Sequence, residues 1–411
     1  MSSQNPLSPA DAKTRRLSIG FLNWAHTLDH YVMLIFPTVV IGLEAVYGRS
    51  YGDLIALSTA AFTAFGLFAL PAGWLADRWS RRNMIAVYYF GTGLSAIAVG
   101  LAPNFTVLAA ALFGVGLFAA IYHPVGTPML IDAAVSRGRT IAFSGVCGNI
   151  GVSIASGLTA AFVAGLGWRS AFFIPAALFI LSGVAYLYFV PDDRHHHARR
   201  SPSLDVALDL RLAVAVIGLF LIIALTGGLI FNGVTVMLPK VLEAKLGGDV
   251  PLQMIGTLST AVFLCGAVTQ LAMGRIIERV PAHWLVAVVA VLQLAGIVWS
   301  EYASGWPLLF ALVLAISAIY GQLTVNDVVL ARYTPPTWRG RLYAIRFFLI
   351  FTSAGPAVWG IGRLYDHGGF PLVLMVAAAI AVVYVLAAIA ITALVAGPES
   401  RDRVRAAQAA E

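Results

Sequence analysis

The sequence predicts an all-α membrane protein with twelve transmembrane helices, and three observations carry that expectation. Of its 411 residues, 60% are hydrophobic and only 11% charged, against about 25% charged in soluble proteins. The apolar residues fall into runs of about 20 or more, the length that crosses about 30 Å of hydrocarbon at about 1.5 Å per residue. The runs are continuous rather than alternating, which excludes a β-barrel and leaves helices to satisfy the backbone in lipid. One soluble core of this length cannot hide so much apolar surface, so an ordinary water-soluble enzyme is excluded.

In chain order the spans are expected at about 17–43, 53–76, 83–103, 105–131, 140–166, 169–190, 212–238, 253–277, 283–302, 306–331, 341–364 and 370–396. The apolar run after Lys13, Arg15 and Arg16 is too long for a signal-peptide core and reads as an uncleaved first span. The longest polar break, 191–211, follows span six and reads as a cytoplasmic linker between six-helix halves at 1–190 and 212–411. His195, His196 and His197 within it read as a solvated run. The formal charge is +7. With the N-terminus cytoplasmic, twenty of the Lys and Arg residues fall on the inner side, five fall outside, and Arg346 lies within span eleven. This asymmetry is the positive-inside rule. It gives an inner-membrane protein with both termini cytoplasmic and no nucleic-acid partner. Cys147 and Cys265 lie in apolar segments, so neither a disulfide framework nor a CxxC metal site is formed. No nucleophile–base pair or phosphate loop appears, so neither an enzyme nor an ATP-driven pump is expected, and no cofactor is implied.

The halves repeat. GWLADRWSRR (Gly73 to Arg82) joins spans two and three, and GRIIERVPAH (Gly274 to His283) joins spans eight and nine, 201 residues later. Arg137-Gly138-Arg139 before span five likewise matches Arg339-Gly340-Arg341 before span eleven. Parallel six-helix repeats are a transporter architecture, with substrate near the midplane between halves that rock against each other.

The twelve spans, the central loop and the pattern Gly73-x-x-x-Asp77-Arg78-x-x-Arg81-Arg82 resemble the major facilitator superfamily. The second copy keeps Gly274, Glu278 and Arg279. The resemblance implies that Asp77 latches onto the start of span eleven, near Arg341 and Arg346, when the protein faces outward. Its physical basis is a carboxylate meeting a helix N-terminus and arginines. On that reading Asp77, Arg78, Arg81 and Arg82 gate rather than bind. Three further stretches are similar to the fosmidomycin-resistance-like branch of drug exporters: Ala25-His26-Thr27-Leu28-Asp29-His30, Tyr122-His123-Pro124-Val125 and Cys147-Gly148-Asn149-Ile150-Gly151. Val125 stands where that branch has glutamate. The branch resemblance implies export of a small organic compound.

Candidate transport residues follow from buried polarity. Asn23, His26, Asp29 and His30 recur at steps of three and four and line one face of span one. Asp29 lies about 18 Å into the roughly 30 Å core, where an ionised carboxylate costs about 2.5–3.5 kcal/mol. It must face a wet cavity, pair with a cation or carry a proton; a static Asp–His pair is the plain alternative. In span four, Pro124, Gly126 and Pro128 disfavour a continuous helix and free carbonyls near His123. His123 comes to a similar depth to Asp29, which makes a shared site plausible. His26, Asp29, His30 and His123 could also hold a transition metal. In the second half an Asp327–Arg346 pair is expected, and Arg346 could hold an anionic solute when the pair opens. Tyr122, Asn149, Asn232, Gln322 and Asn326 complete the candidates. The function expected is proton-coupled alternating access by a single chain whose partners are a small solute, protons and lipid. Uptake of an organic anion or metal complex, and a non-transporting receptor or scaffold, stay open.

Overall fold

A computed structural model of the chain describes residues 9–134, 137–191, 210–247, 250–334 and 336–408. The linker reading at 191–211, with its three histidines, lies almost wholly outside them. The elements are α1 (Pro9–Met33), α2 (Ile35–Tyr47), α3 (Tyr51–Ile55), a 3₁₀ turn (Ala56–Ser58), α4 (Thr59–Arg78), α5 (Arg81–Leu101), α6 (Phe105–Ala119), α7 (Tyr122–Ala133), α8 (Arg137–Leu166) and α9 (Ser170–Phe189). The second half has α10 (Leu210–Leu246), α11 (Leu252–Ile276), α12 (Ala282–Tyr302), α13 (Gly305–Tyr333), α14 (Pro336–Thr352) and α15 (Ala354–Gln408).

Proline and glycine explain why there are more helices than spans. Pro37 has no N–H to offer the carbonyl four residues back, and the first span breaks at Leu34 between α1 and α2. Pro124 does the same to span four, which breaks at Ala120 and Ile121 before α7, where the sequence expects an interruption. Pro356 accompanies the break of span eleven at Ser353. Eleven stretches among the described residues are long and apolar enough to cross a membrane, and one of them, Arg341–Gly397, is 57 residues long. That is about 85 Å of helix, nearly three bilayer cores. Gly368 and Gly369 are non-helical inside it, Gly369 at φ +62°, so it is spans eleven and twelve joined by a tight turn. The total is twelve, as expected. Side-chain caps fix several starts: Ser50 accepts from the Asp53 N–H at 3.0 Å, Ser80 from Asn83 at 3.2 Å and Asn104 from Val107 at 2.9 Å.

The halves meet along several elements of each. On the face away from the chain termini, Lys240 of α10 pairs with Glu44 of α2 and, at 2.9 Å, with Glu243 of its own helix. Tyr51 of α3 packs edge-on against Tyr365 of α15 at 5.1 Å. A Cβ on Gly256 of α11 would lie 2.7 Å from the Ser156 carbonyl of α8, so these backbones touch. At mid-depth the Phe65 ring of α4 meets Phe351 of α14 at 5.1 Å, and Asn149 of α8 hydrogen-bonds Gln270 of α11. Toward the termini the same helices are bare. Ile141 to Phe143 of α8, Arg275 and Ile276 of α11, and Asp77 to Trp79 at the end of α4 are all exposed. Consecutive helical residues point about 100° apart, so each of these ends has more than one exposed side. The contacts between the halves thus gather on the face away from the termini and at mid-depth, and the helix ends on the termini face are exposed.

Candidate functional site

The site is built on α1, whose rotation is fixed by ties to three neighbours. The hydroxyls of Tyr88 and Tyr89 of α5 donate to the Ala25 and Phe21 carbonyls, both at 2.8 Å. Thr27 Oγ1 donates to the Cys147 carbonyl of α8 at 2.9 Å. Trp24 Nε1 donates to Ser182 Oγ of α9 at 2.9 Å. Each such bond contributes about 0.6 kcal/mol in a membrane, and together they define which face of α1 turns to the centre. Two glycines let α8 approach that face. A Cβ on Gly148 would lie 2.7 Å from His26 Nε2 and 2.9 Å from His30 Cδ2, and one on Gly151 would press on the Thr27 backbone.

Into that space converge three histidines. His30 Nε2 and His26 Nε2 are 3.2 Å apart, one helical turn along α1. His26 Nδ1 is 2.9 Å from Ser144 Oγ of α8. The His123 ring, carried in by the first turn of α7, stands 5.3 Å from His26 and 5.4 Å from His30 between centroids. One ring nitrogen from each of the three lies within 4.8 Å of the others, close enough to share an ion. Tyr122 stacks on His26 at 4.9 Å, and Phe351 of the other half covers His123 at 4.9 Å.

Asp29 sits behind this cluster. Its side chain has no exposure, its Oδ2 is 3.5 Å from His123 Nε2, and neither oxygen has a hydrogen-bond partner. The stripe of span one is therefore split: His30 lines a cavity between the halves with Phe62, Phe65, Phe231, Asn232 and Ile350, while Asp29 is walled off from it. The hundred degrees between successive helical residues is the reason; Asp29 points to α7 and His30 to the centre. Asn23 is buried with its Oδ1 unpartnered. An ionised carboxylate in such surroundings needs a cation or a proton, and His123 is placed to supply either.

The remaining candidates fall into separate groups. Arg346 pairs with Asp327 as expected; its side chain is 4% exposed against 53% for the carboxylate. Asn326 accepts from the Tyr384 hydroxyl at 3.2 Å, and Gln322 is buried with an unpartnered Oε1. Asn232 borders the cavity, yet its Nδ2 donates to the Gly228 carbonyl at 2.9 Å and to Ile350 at 3.1 Å. It therefore ties α10 to the end of α14, leaving its Oδ1 as the group for a solute. Asn149 is engaged by Gln270 across the halves, a structural contact at mid-depth.

The stretch from Gly73 to Arg82 is closed upon its own half. Asp77 pairs with Arg81 at 2.8 Å, and Arg81 also reaches Asp132 at the end of α7 at 3.1 Å. Arg78 lies over the Trp74 ring at 4.3 Å. Arg82 donates to the Val190 and Leu187 carbonyls at 2.8 and 2.7 Å, capping the end of α9, so in this conformation its role is structural. Gly73 packs against Pro124, whose Cβ would be 3.1 Å from an added methyl. Gly274, Glu278, Arg279 and Arg341 are exposed.

Ser144, Gln270 and the Glu44–Lys240 pair escape sequence reasoning. Ser144 and Gln270 are ordinary polar residues in apolar helices, and nothing in either segment marks its partner 118 or 121 residues away.

Comparison with known proteins agrees with this architecture. The Major Facilitator Superfamily pattern matches residues 20–255. A probable L-galactonate transporter of Escherichia coli (strain K12) is 29% identical over 36% of this chain and 33% of its own length. The lincomycin resistance protein of Streptomyces lincolnensis is 27% identical over 45% of this chain and 38% of its own. The matched region thus spans only about a third of either relative. Among solved structures, an inward-facing, unoccupied bacterial homologue of the human lysosomal transporter Spinster superposes with a TM-score of 0.73 at 16% identity, covering 94% of this chain and 97% of that one.

Proposed function

From the premise that the chain belongs to the Major Facilitator Superfamily, we propose that it is a proton-coupled secondary transporter moving a small organic solute across the bacterial inner membrane by alternating access. The observation that carries this reading is the mid-depth cavity lined by residues of both halves, with cross-half contacts on the face away from the termini. The solute occupies the cavity between Phe62, Phe65 and Phe231, with Asn232 as its polar anchor. Asp29 carries the coupling proton, reached through His123 and the histidines beside the cavity. Residues 1–190 and 212–411 are the two rocking units, and the excess of Lys and Arg on the termini face supports a cytoplasmic orientation for it. Asp77 and the arginines after it form the latch of the outward-facing state.

We assign the direction as export, following the similarity of the His26–Asp29 and His123 stretches to drug exporters; a lincomycin resistance protein among the relatives accords with it. A second reading, an anionic solute, is favoured by Arg346, whose Nε is buried without a partner; relatives named for L-galactonate and 4-hydroxybenzoate transport accord with that. The test is flux in proteoliposomes under an imposed pH gradient, screened over cationic, neutral and anionic solutes. The expected result is gradient-driven flux in the wild type and its loss in Asp29→Asn with exchange at equal pH retained. Gradient-driven flux equal to wild type in Asp29→Asn removes Asp29 from the coupling role, and absence of flux across the screen overturns the transporter reading.

A further inference from the structure

We propose that His26, His30 and His123 form a binding site for one divalent transition-metal ion of the borderline class, such as Zn²⁺, Co²⁺ or Ni²⁺. Two histidines spaced i and i+4 on one helical face are a metal-chelating pair. Zn–N bonds of about 2.0–2.1 Å at tetrahedral angles separate ligand nitrogens by about 3.3 Å. The His26 and His30 Nε2 atoms are 3.2 Å apart. The third imidazole comes from another helix and keeps its nitrogen within 4.8 Å of both, a gap that rotation of one ring closes. Imidazole nitrogens suit these ions and not Mg²⁺ or Ca²⁺.

The surroundings have the character of an outer shell. Ser144 Oγ holds His26 Nδ1 at 2.9 Å and so aims Nε2 at His30. The Asp29 carboxylate, fully buried and otherwise unpartnered, stands 3.5 Å from His123 Nε2. A carboxylate behind a ligating histidine orients the ring and offsets the ion's charge. Gly148 makes the room, since a side chain there would overlap His26 and His30. His30 borders the cavity, so the fourth coordination position is open to water or to a donor atom of a solute. Metal and protons then compete for the same lone pairs. The inference depends on the transport reading only for what the ion would do there. Binding is measured with no transport step, and failure of one leaves the other standing.

The experiment titrates Co²⁺ into the purified full-length protein in detergent, prepared without a polyhistidine tag. His195, His196 and His197 are replaced by Ser to remove the other histidine run. The expected result is one ion per chain with the intense visible bands of tetrahedral Co²⁺, displaced by Zn²⁺ and lost in His30→Ala. Ser144→Ala, which leaves all three ligands in place, weakens affinity about 10–100-fold. This second variant reads the site even if His30→Ala fails to fold. Loss of Co²⁺ binding on replacing His195 to His197 alone, binding retained in His26→Ala/His30→Ala, or octahedral spectra unchanged in Ser144→Ala each overturn the proposal.

Discussion

Replacing Lys240 by Gln should loosen the closed face. The Lys240 side chain is 5% exposed and is held between Glu44 of the opposite half and Glu243 of its own helix, with its Nζ 5.4 Å from the Tyr51 ring centre. Removing one partner of a fully buried pair costs about 3–5 kcal/mol. Here the carboxylates keep 27% and 29% exposure, and water rehydrates them, so the cost falls to about 1–2 kcal/mol. Of the two ion pairs only the one with Glu44 joins the halves, and its share is about 1 kcal/mol. Since 1.4 kcal/mol is a factor of about ten, the balance between closed and open on this face should shift about fivefold toward open. Spin labels at Arg49→Cys and His367→Cys, with Cys147 and Cys265 replaced by Ala, would report it as a larger long-distance population. Glu243→Gln is the control, because Lys240 and Glu243 ride on the same helix. Equal distance distributions in wild type and Lys240→Gln, or an equal shift in Glu243→Gln, would refute the reasoning.

Gly256→Val should wedge α11 away from α8, because even a Cβ would lie 2.6 Å from that of Ala160; flux should fall at least about tenfold in a protein that still elutes as a native monomer, while Gly165→Val, where nothing lies within 4 Å, should retain it. Asp327→Asn strips Arg346 of its carboxylate and should lower the melting temperature, whereas Asp327→Asn/Arg346→Met should recover most of the loss, since an apolar replacement leaves no buried charge; calorimetry of the two variants checks this. Asp77→Asn removes an exposed i,i+4 pair with Arg81 and should change stability by less than about 1 kcal/mol, while the same spin-label pair shows a population shift away from the outward-facing state. Gly148→Ala should displace the two α1 histidines and abolish Co²⁺ binding without loss of fold, read by the visible spectrum and size exclusion together.

The one-dimensional pattern was sufficient for the number, order and approximate ends of the spans, because a helix in lipid must be both long enough and apolar enough to cross, and both quantities are local. The breaks in spans one and four follow from Pro37 and Pro124 for the same reason: a missing N–H acts on a carbonyl four residues away. Depth is legible too, since rise per residue is constant; it brings His123 and Asp29 to one level, and the two side chains approach to 3.5 Å. Rotation was not legible. A period of 3.6 leads the sequence reading to put Asn23, His26, Asp29 and His30 on one face, but whether Asp29 meets the cavity or the next helix depends on the Tyr88, Tyr89 and Thr27 bonds that set the azimuth of α1. The closure of one face, the placement of Lys240 against Glu44, and the gap that Gly148 leaves for two imidazoles are likewise properties of helices far apart in the chain. They belong to the tertiary structure alone, because no residue carries within its own neighbourhood the identity of what packs against it.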